Sequence, residues 1–350
     1  MTRRPRIPAL LLGLALPLAL LAGCADDPGA GPQITTTLPD EPEPPECPSP
    51  LPEAMNGPGL RIASFTIDNL GVYSSRQNQA LACLLGGYDL VAVNDVAVPP
   101  YAGTYADGEA YRPDPASTGF FEAMRAQGFA YAMGPEDTGP GQKNKLTSGV
   151  NAWPVVFYKP AALQVAGDRP SGYILPDRSA NPDFHFVPFA LPLRTADGRF
   201  DLLLVTVKLA ERTEDASRRR NELWALANWI QAYGRGERDI LVLGQTSFAS
   251  CGERDASLPG GFVPVDPACR LLDVARKKPT DGAFLLAGGT ATLEAFDGVD
   301  IVQAMYPFWV YDRGGDYPGN PYNPALFDQY YSGHTPVALR LLPPAAGDLD

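Results

Sequence analysis

Histidine is nearly absent from this sequence: 350 residues hold two, His185 and His334. A zinc centre built on several imidazoles is thereby excluded, and the five cysteines offer no C-x-x-C pair or Cys/His spacing in its place. Basic residues are also scarce, 28 Lys and Arg against 40 Asp and Glu, for a formal charge of −12. Such a body repels polyanions, and duplex nucleic acid is held mainly by Lys and Arg on its phosphates, which counts against a nucleic-acid partner. The one basic run, Arg218 to Arg220, stands where a helical pattern begins and reads as a solvated face. Neither Ser247 nor Ser332 lies in a G-x-S-x-G context, so a nucleophile-elbow hydrolase is set aside. Beyond residue 23 no stretch nears the ~20 apolar residues of a spanning helix.

What is present begins with the N-terminus. Arg3, Arg4 and Arg6 precede an apolar stretch from Ile7 to Ala22, which ends in Leu-Ala-Gly before Cys24. A charged start, a short apolar run and small residues before a cleavage point make a secretory signal. The ending resembles a bacterial lipobox, which implies that Cys24 is diacylated and holds the protein to a membrane on its extracytoplasmic side. Losing the three arginines of residues 1–23 takes the formal charge to −15. Residues 24–58 are rich in Pro, Asp and Glu, bury little, and read as a disordered tether. The folded part is expected over 59–344, with 345–350 as a tail. An oxidising compartment suits the four remaining cysteines, which allow three pairings. The irregular loop between Cys251 and Cys269 favours that pair; Cys47–Cys83 is left open.

Along 59–344, short β-rich runs alternate with helical patterns. Leu60–Ile67, Tyr88–Val93, 155–158, 184–193, 200–209 and 239–244 read as strands, with Pro188 and Pro192 marking 184–193 as edge-like. Residues 75–85, 120–127 and 221–233 read as helices, the last with Leu223, Leu226, Ala227, Ile230 and Tyr233 on one face. The runs VDIVQA (299–304) and TPVALRL (335–341) read as further strands. The order fits an α/β fold, a four-layer sandwich of two sheets with helices outside.

Five segments carry a more specific signal: LRIASFTIDNLG (60–71), YDLVAVNDV (88–96), FDLLLVTVKL (200–209), RDILVLGQTS (238–247) and YYSGHTPVALRL (330–341). In order and strand context they resemble the signature strands of the endonuclease/exonuclease/phosphatase superfamily, which reads W-N-I, Q-E-V, V-x-H, G-D-F-N and S-D-H there. The resemblance spans about 59–341 and implies metal-dependent phosphoester hydrolysis. In that chemistry Mg²⁺ or Mn²⁺ polarises the phosphoryl group and a histidine takes the proton of water. Here the tips are altered. Thr66 stands for the asparagine, Asp95 for the glutamate, Lys208 for the phosphate-contacting histidine, Gln245 and Ser247 for the G-D-F-N pair, and Gly333 for the S-D-H aspartate. The glutamate expected before 155–158 falls near Ala152, and the arginine expected before Pro188 falls at Phe186.

Asp95 reads either as the remaining metal ligand or as a strand-end aspartate serving loop amides. Lys208 reads as a phosphate contact, as a built-in cation in the vacated metal position, or as a lysine reaching solvent. Asp300 in FDGVDIV matches the family's orienting aspartate and His334 its general base; they serve either as a degenerate catalytic dyad or as a tie between strands. With so few oxygen ligands left, no cofactor is expected. The implied function is a lipid-anchored pseudoenzyme, a binding or scaffold module for a protein, glycan or small ligand. The alternative is a divergent phosphodiesterase, in which Mg²⁺ or Mn²⁺ enters through Asp95. The aromatic stretch 305–334 is the richest candidate contact surface, although most of its rings are expected to pack inward.

Overall fold

The computed structural model describes residues 47, 51–105, 107–141, 151–175, 182–212, 215–233, 237–275, 277–314, 316–318 and 322–349. The signal segment, Cys24 and most of the expected tether lie outside the described residues. Among those described, no helix is long and apolar enough to cross a membrane.

In chain order, β1 (Leu60–Leu70), α1 (Asn78–Leu85) and β2 (Leu90–Val96) come first. A short hairpin of β3 (Gly103–Thr104) and β4 (Ala110–Tyr111) follows, then α2 (Pro115–Ala126), β5 (Ala130–Met133) and β6 (Trp153–Tyr158). Next are β7 (Leu163–Val165), β8 (Gly172–Tyr173), β9 (Phe189–Thr195), β10 (Asp201–Lys208), α3 (Ala216–Tyr233) and β11 (Ile240–Gln245). After these come α4 (Cys251–Ser257), β12 (Phe262–Pro264), β13 (Asp281–Leu286) and β14 (Thr292–Gly298). The chain closes with α5 (Ile301–Asp312), α6 (Pro324–Tyr330) and β15 (Val337–Leu342).

Among the described residues these strands make two large sheets. One has the order β14-β15-β1-β2-β6-β5; the other runs β12-β13-β11-β10-β9-β7, with β8 also on β9. Period-2 alternation explains the layering, since central strands are apolar on both faces. Ile62, Leu90, Ala92, Leu202, Leu204 and Leu241 meet in the core between the sheets. Phe65, Val91 and Val93 turn the other way, onto α1, α2 and α5, while Leu203, Val205 and Val207 turn onto α3. Four layers result, as the sequence pattern predicts.

Three expectations are corrected. VDIVQA is not a strand: Asp300 caps a helix by accepting from the Gln303 amide, and Ile301, Met305, Phe308 and Trp309 bury at helical spacing. β9 is not an edge strand, but β7 and β8 cover only its two ends, and Pro192 sits in the gap between them, where no ladder N–H is needed. The tether ends earlier than 58. Met55 is fully buried, and Arg340 donates to the Ala54 and Pro58 carbonyls at 3.3 and 2.8 Å. At the C-terminus Asp348 pairs with the chain at Arg199 and Asp201.

Both disulfides form, Cys251–Cys269 with Cα atoms 5.8 Å apart and Cys47–Cys83 at 5.1 Å. The first closes an 18-residue separation, a span for which constraint of the unfolded chain contributes about 3 kcal/mol.

Candidate functional site at the strand tips

The parallel pair β1–β2 stays in register to Thr66 and Asn94 and then breaks, β1 between Thr66 and Leu70, β2 between Val93 and Val96. Bulges of this kind re-aim side chains at sheet ends. Four non-glycine residues at the tips take left-handed backbone: Asp68 (φ 50°), Asn69 (57°), Asp95 (66°) and Ser247 (53°). Each such residue costs on the order of 1–3 kcal/mol, and such strain concentrates where side chains must be held for a purpose. From the second sheet, the parallel pair β10–β11 places Lys208 beside Gln245, and antiparallel β13 sets Asp281 opposite Gln245. The Thr66 hydroxyl donates to Asp281, joining the two sheets.

Lys208 and Asp95 meet at the centre. The ammonium lies 2.6 Å from Asp95 Oδ1 and 2.6 Å from Glu211 Oε1, with the Lys208 and Asp95 side chains only 5% and 4% exposed. The Phe186 ring stands 4.6 Å from Nζ, and Gln245 Nε2 donates to the same Glu211 oxygen at 3.3 Å. Burial lowers the Lys208 pKa, but Asp95 and Glu211 outweigh it and hold the ammonium charged.

His334 forms the second focus. Its Nδ1 meets the fully buried Asp281 carboxylate, and its Nε2 lies 3.4 Å from Asp68 Oδ1. Burial alone would lower the imidazole pKa; Asp281 and then Asp68 overcome it and raise it to about 10. At neutral pH His334 is therefore an imidazolium, not the base near neutrality that its residue type suggests. Asp68 in turn accepts from the Gly333 amide at 2.6 Å and the Ser332 hydroxyl at 3.0 Å. The Ser332 hydroxyl reaches the Thr66 carbonyl at 2.7 Å as well. Asp328, from α6, accepts the same Gly333 amide at 2.9 Å. Burial, followed by the Asp68 charge, pushes its carboxyl up to about 7. At Gly333 itself a Cβ would come 3.1 Å from Asp68 Oδ2, so an aspartate there would add a third carboxylate to this pair.

Thr66, Asp95, Lys208, Gln245, Ser247, Gly333 and His334 thus gather at one end of the sheets. A cavity of about 410 Å³ opens there, lined by Asp68, Asp95, Glu211, Gln245, Lys278 and His334 among others. Asp300 is elsewhere: the carboxylate against the His334 ring belongs to Asp281, and Asp300 caps α5. Its signal in VDIV was that of a helix start. Asp281 was legible as the polar head of the run TDGAFLL, and Asp68 as the polar residue two places after Thr66. Glu211 and Asp328 carry no local signal.

The donor set does not suit Mg²⁺ or Mn²⁺, which need hard oxygen ligands around one point. Asp95 faces an ammonium, Gly333 offers no side chain, Gln245 is an amide, and Asp68 is committed to His334 and Gly333. Among the described residues no group of three His, Cys, Asp or Glu is placed to hold an ion.

No protein-family model matches the chain, and no curated protein matches it. Solved structures do. An endonuclease/exonuclease/phosphatase family protein from Bacteroides thetaiotaomicron superposes with TM-score 0.51 and 13% identity, over 83% of this chain and 99% of that one. A mannosyl-6-phosphatase from the same species gives 0.51 and 13%, over 81% and 99%. The catalytic domain of human Nocturnin gives 0.50 and 13%, over 81% and 93%. At such identities the likeness speaks for architecture alone. With two stacked sheets, helices outside and tips converging at one end, this chain has the endonuclease/exonuclease/phosphatase fold.

Proposed function

We propose that the protein is a lipid-anchored extracytoplasmic binding or scaffold module in which this fold no longer supports metal-dependent phosphoester hydrolysis. One observation carries the reading: at the strand tips the Lys208 ammonium is buried between Asp95 and Glu211. A divalent ion would have to displace a charge that is already neutralised and hydrogen-bonded there, with few ligands to offer in return. Titration calorimetry of the full-length protein with Mg²⁺ and Mn²⁺ is expected to give no saturable heat. A fluorogenic phosphodiester is expected to remain intact in their presence.

A second reading, a divergent metal-dependent phosphodiesterase, draws on the Asp281–His334–Asp68 relay, which keeps a histidine between two carboxylates. It requires Lys208 to leave Asp95. Metal-dependent turnover that disappears in both Asp95→Ala and His334→Ala would establish it and overturn the first.

The anchor rests on the Leu-Ala-Gly-Cys ending. Cys24→Ser is expected to release the protein from membranes or to leave it as unprocessed precursor, because the thiol that takes the lipid is gone. Unchanged membrane fractionation of that variant would count against the anchor while leaving the binding-module reading in place.

A further inference from the structure

A second cavity, about 1000 Å³, opens between β14, the start of α5 and the aromatic segment before α6. It shares no lining residue with the strand-tip cavity. Small-molecule sites pair aromatic walls with a few placed polar groups, and three tyrosines supply the walls here. Tyr317 is the fixed one. Its hydroxyl donates to the Val302 carbonyl at 2.5 Å, and its ring meets those of buried Trp309 and Phe327 at 5.8 and 5.9 Å. Tyr306, on α5 and 52% exposed, meets the Tyr317 ring at 5.2 Å and 90°. Tyr322, 39% exposed, stands 6.3 Å from the Tyr317 ring at 41°.

The polar group at this corner is Gln303. It precedes Tyr306 by three residues on α5, so the two side chains are neighbours on one helix face. It also follows Val302, whose carbonyl holds Tyr317. Gln303 is exposed, and its side-chain amide makes no hydrogen bond among the described residues; the hydroxyls of Tyr306 and Tyr322 make none either. A donor, an acceptor and two hydroxyls thus stand unpartnered around aromatic faces.

That combination asks for a ligand with apolar faces and a polar rim. An alkyl chain lacks the rim, and an inorganic anion lacks the faces. A flat heterocycle suits a slot between parallel rings, whereas these neighbouring rings stand at 90° and 41° and leave a wedge that a chair-shaped ring fills more fully. We propose that this cavity binds a neutral hexopyranose, one C–H face of the chair on the exposed Tyr306 ring, its edge against Tyr317, and two adjacent hydroxyls on the Gln303 amide. The contacts draw on no net charge. The proposal supplies a ligand class for the binding-module reading and uses none of its strand-tip residues.

The test titrates the methyl glycosides of glucose, galactose, mannose and N-acetylglucosamine into the full-length protein by calorimetry, with sorbitol and adenosine as controls. Sorbitol carries the hydroxyls without a ring face, and adenosine carries a flat face. At least one glycoside is expected to bind saturably and about tenfold more tightly than either control. Tyr306→Ala removes the exposed ring and Gln303→Ala the amide. Each is expected to weaken that glycoside by about threefold to tenfold, the range for one lost aromatic contact or hydrogen bond, with an unchanged thermal midpoint. No saturable binding of any of the four glycosides would overturn the proposal. So would sorbitol or adenosine binding as tightly as the glycosides, or unchanged affinity in either variant. Metal-dependent turnover at the strand tips would leave a positive result here standing, so the two readings fail separately.

Discussion

Lys208→Met is expected to destabilise the protein by about 3–5 kcal/mol, the usual cost of leaving one member of a buried ion pair alone. Methionine matches the length of the lysine stem, so the packing against Phe186 survives while Asp95, 4% exposed, is left charged with its cation gone. Glu211, at 34% exposure, turns to water and contributes little to the loss. For a body of this size the thermal midpoint should fall by roughly 10 °C. The double variant Asp95→Asn/Lys208→Met should regain most of the loss, because replacing both partners removes the stranded charge. Asparagine also tolerates the left-handed backbone at position 95. A Lys208→Met protein within 1 kcal/mol of wild type would mean that the ammonium does not hold Asp95.

The second large effect concerns pH. The His334 pKa is raised in the folded protein, from an ordinary 6.5 to about 10. A raised pKa contributes stability that is full below the unfolded value and is lost as pH climbs through the folded one. Wild-type stability should therefore decline between about pH 7 and 10, by up to about 1.4 kcal/mol per unit while this one proton is being released. The charges that raise that pKa are those of Asp281 on β13, Asp68 in the irregular end of β1, and Asp95 on β2. His334→Gln leaves Asp281, fully buried, without its cation. That variant should lose about 3–5 kcal/mol at pH 7 and show a flatter profile above it. Urea unfolding at half-unit steps measures both, and parallel profiles for the two proteins would refute the assignment.

Most of the fold was legible because central strands of a two-sheet sandwich must be apolar on both faces. FDLLLVTVKL and DILVLG could be little else, and their order carried the resemblance. The failures have a common cause. VDIVQA is too short to separate strand from helix; the deciding residues, Met305, Phe308 and Trp309, lie beyond it in a segment that its glycines and prolines made look like loop. Read as a strand, that run puts Asp300 at a strand tip, in the place beside His334 that Asp281 holds. Asp68 stands in IDNLG, where a strand pattern gives way to polar residues. Its contact with His334 spans the whole domain and depends on two bulges that no local pattern encodes. Met55 was a lone apolar residue among prolines and acids, and only the groove beside β14 and β15 gave it a place.

The Cys47–Cys83 bridge has a mechanical consequence. Any tension arriving along the chain from before Cys47 passes through that bond into α1, which lies against the core. Residues 48–59 and the start of β1 are thereby shielded from the pull. Without the bridge, the same load would fall first on buried Met55 and on the Arg340 bonds to Ala54 and Pro58, and then on Leu60 at the start of β1. With it, the load meets a packed helix, whose removal requires many contacts to break together. A reducing agent would then weaken the protein's grip under load more than its equilibrium stability suggests.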